Sequence, residues 1–349
     1  MIKYLGSKRT LVPVLGEIAS AVEARTAVDL FTGTTRVAQE LKRRGVRTTA
    51  TDLATYSAVL ADCYIATDAD QVDRDELDTE LTRLNNLPGV DGYVTETFCR
   101  NARFFQPHNG KRIDAIRSAI EADHPNSPLR PILLTSLLLA ADRVDSTTGL
   151  QMAYLKEWAP RAHRDLVLVA PALLPGPGQT VHGDALDTVG LLDPVDLVYI
   201  DPPYNQHRYF TNYHVWETLV RWDQPEHYGV ACKRIDSRDE ETRSAFNSKR
   251  TMRDALARVL TEARAEVLVV SYNDESWVTA DDIRTILLDA GHEAVGLLEF
   301  DRKRYVGAQI GIFNGSGARV GTVARLRNTE YVFVAGSGDH VAAALAAAN

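Results

Sequence analysis

The residues LVYIDPPYN at 197–205 place an acid, two prolines and an aromatic directly after an apolar, β-branched run. Proline has no amide hydrogen to give a sheet ladder, so the strand must end where Pro202 and Pro203 begin. Their rings also fix φ, which makes the turn rigid. In that turn the Asp201 carboxylate and the Pro202 carbonyl are two acceptors side by side, with the flat ring of Tyr204 next to them. Two acceptors and a stacking face suit an exocyclic amino group on a nucleobase. Such a base must first leave its duplex. An aromatic amine is a weak nucleophile, because its lone pair is delocalised into the ring. Drawing both N–H groups toward acceptors localises that lone pair, and a sulfonium methyl group held in line could then be transferred directly. No covalent enzyme intermediate is needed, and the chain has no Pro-Cys pair of the kind that attacks cytosine at carbon 5.

Other acids and one glycine stand at comparable places. DLFTGTTR at 29–36 follows a short apolar strand and puts Gly33 in a strand-to-helix turn. A glycine there admits a ligand close to the backbone, and the following helix N-terminus favours a negative group. Asp52 closes the next strand, where an acid can accept from both hydroxyls of a ribose. It could equally cap the following helix. Asp184, in HGDAL, also follows a strand and could accept from an adenine amino group or serve as a cap.

These residues need elements to carry them. AVDLF at 27–31 and VRTTATD at 46–52 are strand-like, and each is followed by a helical stretch, RVAQELKRRG and LATYSAVLADCYIA. Alternating strands and helices argue for a parallel, doubly wound α/β sheet, whose ligands bind beyond the carboxyl ends of the strands. From Asp68 to Arg164 the periodicity is helical with no clear strand. Strand signals resume at 180–186, 194–200 and 265–272, and Gly, Asn and Ser at 314–317 suggest a β-hairpin turn near the end. The expected organisation is a catalytic α/β domain in two parts, 1–67 and 165–349, the second ending in that hairpin. A helical insertion at 68–164 interrupts it, and the Ala-rich tail after Gly336 is expected to fray.

Composition fits a globular protein: 349 residues, 45% hydrophobic and 25% charged. The three cysteines have neither metal nor redox spacing, the first ten residues do not read as a signal peptide, and no apolar stretch is long enough for a bilayer. A cytoplasmic protein without a metal centre is expected. The net charge of −8 does not favour a polyanion partner, but a local basic patch matters more than the total. Arg100, Arg103, Lys111, Arg112 and Arg117 supply one candidate patch within 68–164. Arg208 and Tyr209, just after the two prolines, belong to a second, and more Lys and Arg follow at 233–253. Any one arginine is more simply a solvated surface group. As clusters beside a base-binding turn they are candidate phosphate contacts.

Taken together, IKYLGSK at 2–8, DLFTGTT at 29–35, TATD ending on Asp52, GDAL with Asp184, DPPY at 201–204 and VVSYND at 269–274 resemble, in this order, the motifs of the Dam-like alpha-group adenine DNA methyltransferases. The resemblance covers nearly the whole chain. It departs from the family at Thr35, where the pattern D-x-F-x-G-x-G has its last glycine. It implies a Rossmann-like methyltransferase sheet interrupted by a helical target-recognition insertion. S-adenosylmethionine is the implied cofactor, held by Tyr4, Lys8, Asp29, Phe31, Gly33, Asp52, Asp184 and Asp201, with Lys8 meeting its carboxylate. Catalysis falls to Asp201, Pro202, Pro203 and Tyr204. The implied partners are double-stranded DNA and, for a modification enzyme, a cognate restriction endonuclease. Cytosine N4 would suit the two acceptors as well as adenine N6. An RNA or protein amino-methyltransferase, and a non-catalytic DNA-binding module, are further alternatives.

Overall fold

The computed structural model describes residues 2–4, 8–204, 206, 208–303, 312–313, 319–321 and 327–348. In chain order the helices and strands are α1 (Val12–Ala21), β1 (Thr26–Asp29), α2 (Arg36–Arg43), β2 (Arg47–Asp52), α3 (Thr55–Ala61), α4 (Arg74–Asn85), α5 (Pro107–Asp123) and α6 (Arg130–Val144). Next come β3 (Gly178–His182), α7 (Ala185–Thr188), β4 (Val195–Ile200), α8 (Tyr209–Asn212), α9 (His214–Arg221), β5 (His227–Tyr228), β6 (Lys233–Arg234), α10 (Met252–Glu262), β7 (Ala265–Asn273) and α11 (Ala280–Asp289). The chain closes with β8 (Ala294–Lys303), β9 (Ile312–Phe313), β10 (Arg319–Gly321), β11 (Arg327–Gly336) and a helix at Gly338–Ala347. None of the described helices is long and apolar enough to cross a membrane.

The chain forms two compact units. The first comprises Met1–Tyr4, Thr32–Gly183 and Arg208–Arg243. It holds β2 and β3, paired in parallel, and the helices α2 to α6, α8 and α9. The segment 68–164 contains no strand, as its periodicity predicts. In α6, RPILLTSLLLAADRV, most residues are buried, because a helix apolar on every side is stable only when surrounded. Leu133, Leu137 and Leu138 join Phe98, Phe104, Phe105 and Trp216 in one core cluster. Residues 208–243 pack with this helical segment although they follow the two prolines in sequence.

The second unit comprises Leu5–Phe31, Asp184–His207 and Ser244–Asn349. Its strand order is β1-β4-β7-β11-β8. The first three strands are parallel. β11 lies antiparallel to both β7 and β8, so the sheet is mixed rather than wholly parallel. The fold is α/β with mostly parallel pairing, as the alternation of strands and helices predicts. Val28, Val198, Ile200, Leu268 and Val270 of three adjacent strands meet Leu256, Val259 and Leu287 of α10 and α11 in a second core cluster.

The structure adds one element and corrects another in this unit. The sequence reading leaves Ala294–Lys303 unassigned, and β8 occupies it. Gly296 weakens its strand signal, and the reason for that glycine is tertiary. A Cβ there would stand 2.9 Å from Leu345 and 3.0 Å from Val341 of the C-terminal helix, so a side chain at this position would have to push those two residues aside. The tail also does not fray. Ser337 caps the helix by accepting from the His340 amide at 3.2 Å, and Val341 and Ala344 are buried. The helix packs on α1 and β8. β9 and β10 pair antiparallel, while the turn expected at 314–317 lies outside the described residues.

Candidate active site

In the second unit, β4 is buried through Ile200 and stops as its sequence requires. Asp201 follows, and its side chain is 18% exposed, so a ligand can reach it. Lys8, nearly buried, places Nζ 3.0 Å from Asp201 Oδ1 and also pairs with Glu330 of β11. The same ammonium lies 5.8 Å from the centroid of the Tyr204 ring, within cation–π range. Tyr204 packs edge-on against Tyr272 at 6.0 Å. Burial pushes the Asp201 carboxyl up to about 6; Lys8 opposes the rise and Glu330 adds to it. Burial alone would lower Lys8, but Asp201 and Glu330 outweigh it and hold its pKa well above the ordinary lysine value. The result is a cation between two carboxylates, with one of them partly open. Lys8 is therefore engaged at the DPPY turn. Glu330 is the group that sequence reading missed, since RNTEYVFVA looks like an ordinary strand with one polar face.

The other candidates of this unit are placed as follows. Asp29 ends β1 and is 1% exposed. Phe31 packs on the core edge-on to Phe246, with centroids 5.1 Å apart. Asp184 caps α7, its Oδ1 accepting from the Leu186 amide at 2.8 Å.

In the first unit, Asp52 ends β2 and uses both carboxylate oxygens on the backbone. Oδ2 accepts from the Gly33 amide at 2.8 Å and Oδ1 from the Ala54 amide at 2.9 Å. It braces the glycine turn rather than capping α3, whose N-cap is Ala54. Burial raises its pKa, and the Ala54 and Gly33 amides oppose the rise. Gly33 has φ +51°, and a Cβ on it would lie 3.1 Å from the Tyr4 ring. Both facts require glycine. Thr35 keeps a left-handed backbone as well, φ +62°, where the related pattern has its last glycine. Its amide donates to the Thr32 carbonyl at 2.7 Å and its hydroxyl to the Thr34 carbonyl at 2.7 Å. The departure at this position therefore changes the side chain but not the turn.

Tyr4 stacks on Tyr213 at 4.7 Å and on Tyr209 at 5.3 Å, and the Tyr56 hydroxyl lies 3.4 Å from its own. Tyr209, read from sequence as a DNA contact, thus shares an aromatic stack with a cofactor candidate. Tyr56, in α3, and Tyr213, between α8 and α9, carried no sequence signal, being ordinary aromatics.

Arg100, Arg103, Lys111 and Arg112 are already engaged within the protein. Arg100 and Lys111 both pair with Asp91, and Arg100 also with Glu96 at 3.0 Å. Arg103 donates to the Lys156 carbonyl at 2.6 Å and lies over the Trp158 ring at 4.8 Å. Arg112 donates to the Leu87 and Asn85 carbonyls. Arg208 precedes α8 and is half-buried. Arg117 is a correction. It is fully buried and donates to the Leu219 and Val220 carbonyls, so it ties α5 to α9 and is not a phosphate contact.

Comparison with known proteins bears on these arrangements. A family described as D12 class N6 adenine-specific DNA methyltransferase matches residues 4–286. The Type II methyltransferase M.NlaIII of Neisseria lactamica is 29% identical over 301 residues, covering 82% of this chain and 87% of that protein. The modification methylase StsI of Streptococcus sanguinis is 29% identical over 307 residues, 82% of this chain but 46% of that protein. The Type II methyltransferase M.CviAII of Paramecium bursaria Chlorella virus 1 is 28% identical over 304 residues, 83% of this chain and 89% of that protein.

Proposed function

The chain belongs to the D12 class N6 adenine-specific DNA methyltransferases, which use S-adenosylmethionine, and from that premise we propose that Asp201, Pro202, Pro203 and Tyr204 bind and activate the adenine amino group. The observation that carries the reading is a buried carboxylate, partly open to a ligand, in a turn held rigid by two prolines and flanked by an aromatic ring. Membership in an adenine N6 family sets aside the cytosine-N4, RNA and non-catalytic alternatives.

The residues present suit the cofactor. Asp52 Oδ2 accepts from the Gly33 amide and Oδ1 from the Ala54 amide, and a carboxylate has about four acceptor sites, which leaves capacity for a ribose hydroxyl. Gly33, whose missing Cβ makes room for the Tyr4 ring, donates its amide to Asp52. We assign the cofactor to Asp52, Gly33, Tyr4, Asp29, Phe31 and Asp184, the last through the carboxylate oxygen that does not cap α7. When bound, S-adenosylmethionine supplies an electrophilic methyl group. Asp201 and the Pro202 carbonyl accept the two amino hydrogens, which returns the nitrogen lone pair to the reacting nitrogen. Tyr204 carries the ring of the flipped base. After transfer the methylated nitrogen is cationic and gives up one proton, and Asp201 is placed to take it and pass it to solvent. Among the candidate cations, Arg208 is the better phosphate contact, since Arg112 and Arg103 both donate to backbone carbonyls. Relatives named as modification methylases support a modification enzyme, and we propose that it works on cytoplasmic DNA and is paired with a cognate restriction endonuclease.

The test is Asp201→Ala. It should lower single-turnover methylation by about two to three orders of magnitude, the usual loss of an electrostatic group at a reacting centre. S-adenosylmethionine affinity should survive. Methylation near the wild-type rate would sink the proposal. Sequencing of methylated bases in DNA from cells expressing the chain would identify the target site.

A further inference from the structure

We propose that Glu330 is a positioning residue for methyl transfer: it shares Lys8 with Asp201 and so leaves the Asp201 carboxylate available to the target amine. The proposal rests on the reading that Asp201 accepts the amino hydrogen. Glu330 lies beyond the residues matched by the family, 4–286, so that match assigns it no role.

The geometry comes from the sheet. β11 runs antiparallel between β7 and β8, with Glu330 opposite Asn273 on one side and Phe300 on the other. A carboxylate 8% exposed on an interior strand is costly unless paired. Lys8 is its ion-pair partner, and Lys8 is also 3.0 Å from Asp201. Structural neutralisation of one buried lysine needs one carboxylate. Here there are two, which leaves a net negative charge in a nearly buried group, and stability alone gives no reason for that.

Function does give one. A carboxylate paired alone with an ammonium is a weak acceptor for anything else, because the cation draws on its charge. When the ammonium is shared with Glu330, Asp201 stays basic enough to accept from an amine. The groups that act electrostatically on Asp201 are Lys8 and Glu330, with Tyr199 and Tyr204 beside them. The Tyr199 hydroxyl is committed to Ser271 at 2.9 Å, and Glu275 acts on Tyr204.

The test is the pH profile of Glu330→Gln beside wild type and Asp201→Asn. In the wild-type enzyme kcat/KM should fall as pH drops below about 6, where Asp201 takes a proton. Glu330→Gln should move that limb to lower pH, because a negative charge near Asp201 is gone. Its plateau kcat should fall about tenfold, as expected for a weakened acceptor, with the KM for S-adenosylmethionine unchanged. Glu330→Asp, which keeps the charge but shortens the reach, should lie between the two in both respects. If Glu330→Gln does not fold, Glu330→Asp carries the same reading, and wild-type values there overturn the proposal. An inactive Asp201→Asn together with an unmoved limb and plateau in Glu330→Gln also overturns it. Loss of rate without movement of the limb makes Glu330 a packing residue and likewise overturns it. An Asp201→Asn enzyme of near wild-type rate overturns instead the reading of Asp201 on which the proposal stands.

Discussion

Tyr204 and Asp52 make the argument at the scale of single residues. The Tyr204 ring has an edge contact with Tyr272 and a cation near its face, and its proposed use is stacking. Stacking needs the ring and not the hydroxyl. Tyr204→Phe should therefore keep most of the methylation rate, while Tyr204→Ala should lose about 1–3 kcal/mol, the usual worth of a base on an aromatic. Single-turnover rates measure this, and equal rates in the two variants would reduce Tyr204 to a packing residue. Asp52 serves two partners at once, the Gly33 amide and, by proposal, the ribose. Asp52→Ala should weaken S-adenosylmethionine binding by about 1–3 kcal/mol, the range for a hydrogen bond to a charged group or an acceptor removed from a buried donor. Asp52→Asn, which keeps an acceptor for Gly33, should lose less. Calorimetry showing unchanged affinity in Asp52→Ala would leave Asp52 only its role in the turn.

At the scale of elements, the strands and helices nearest the site were the most legible. β1, β4 and β7 are apolar runs and β2 is rich in β-branched threonine, each ending at an acid or a polar turn, and β-branched runs bounded in this way are the strand signal. The C-terminal helix was misread because a run of alanines has no apolar stripe to announce its buried face. Its order comes from Ser337 at one end and from the space left by Gly296 beneath it. Ser337→Ala should cost about 0.5–2 kcal/mol, the range for a lost N-cap. Urea unfolding followed by circular dichroism would show it, and an unchanged midpoint would mean that packing on α1 and β8 alone holds the helix.

For the molecule as a whole, a net charge of −8 has to be reconciled with a DNA substrate. A few cations aimed at phosphates suffice, provided they are not spent internally. Each phosphate neutralised adds about 0.9 to the slope of log affinity against log salt on duplex DNA. Arg208→Ala should lower that slope by about 1. Arg112→Ala should leave the slope unchanged and instead reduce stability, since its guanidinium fastens the Asn85 and Leu87 carbonyls. Fluorescence anisotropy from 50 to 200 mM salt, with a thermal melt of each variant, separates the two. Equal slopes for wild type and Arg208→Ala would remove Arg208 from the DNA surface.

What the sequence determined by itself is local: where β4 must stop, where a glycine is required, and which acids end strands. Proline geometry, left-handed backbone and apolar periodicity act over a few residues, so they can be read in order along the chain. What only the tertiary structure decided is which distant groups share a charge or a ring face. Lys8 meets Glu330 across 322 positions of sequence. Tyr4 finds Tyr213 and Tyr209, Arg117 is buried against α9, and β11 enters antiparallel between β7 and β8. A charged residue in a strand reads as solvent-facing until the neighbouring strands are known. Burial, which sets the cost of leaving such a charge unpaired, is a property of the packed sheet and not of the residue.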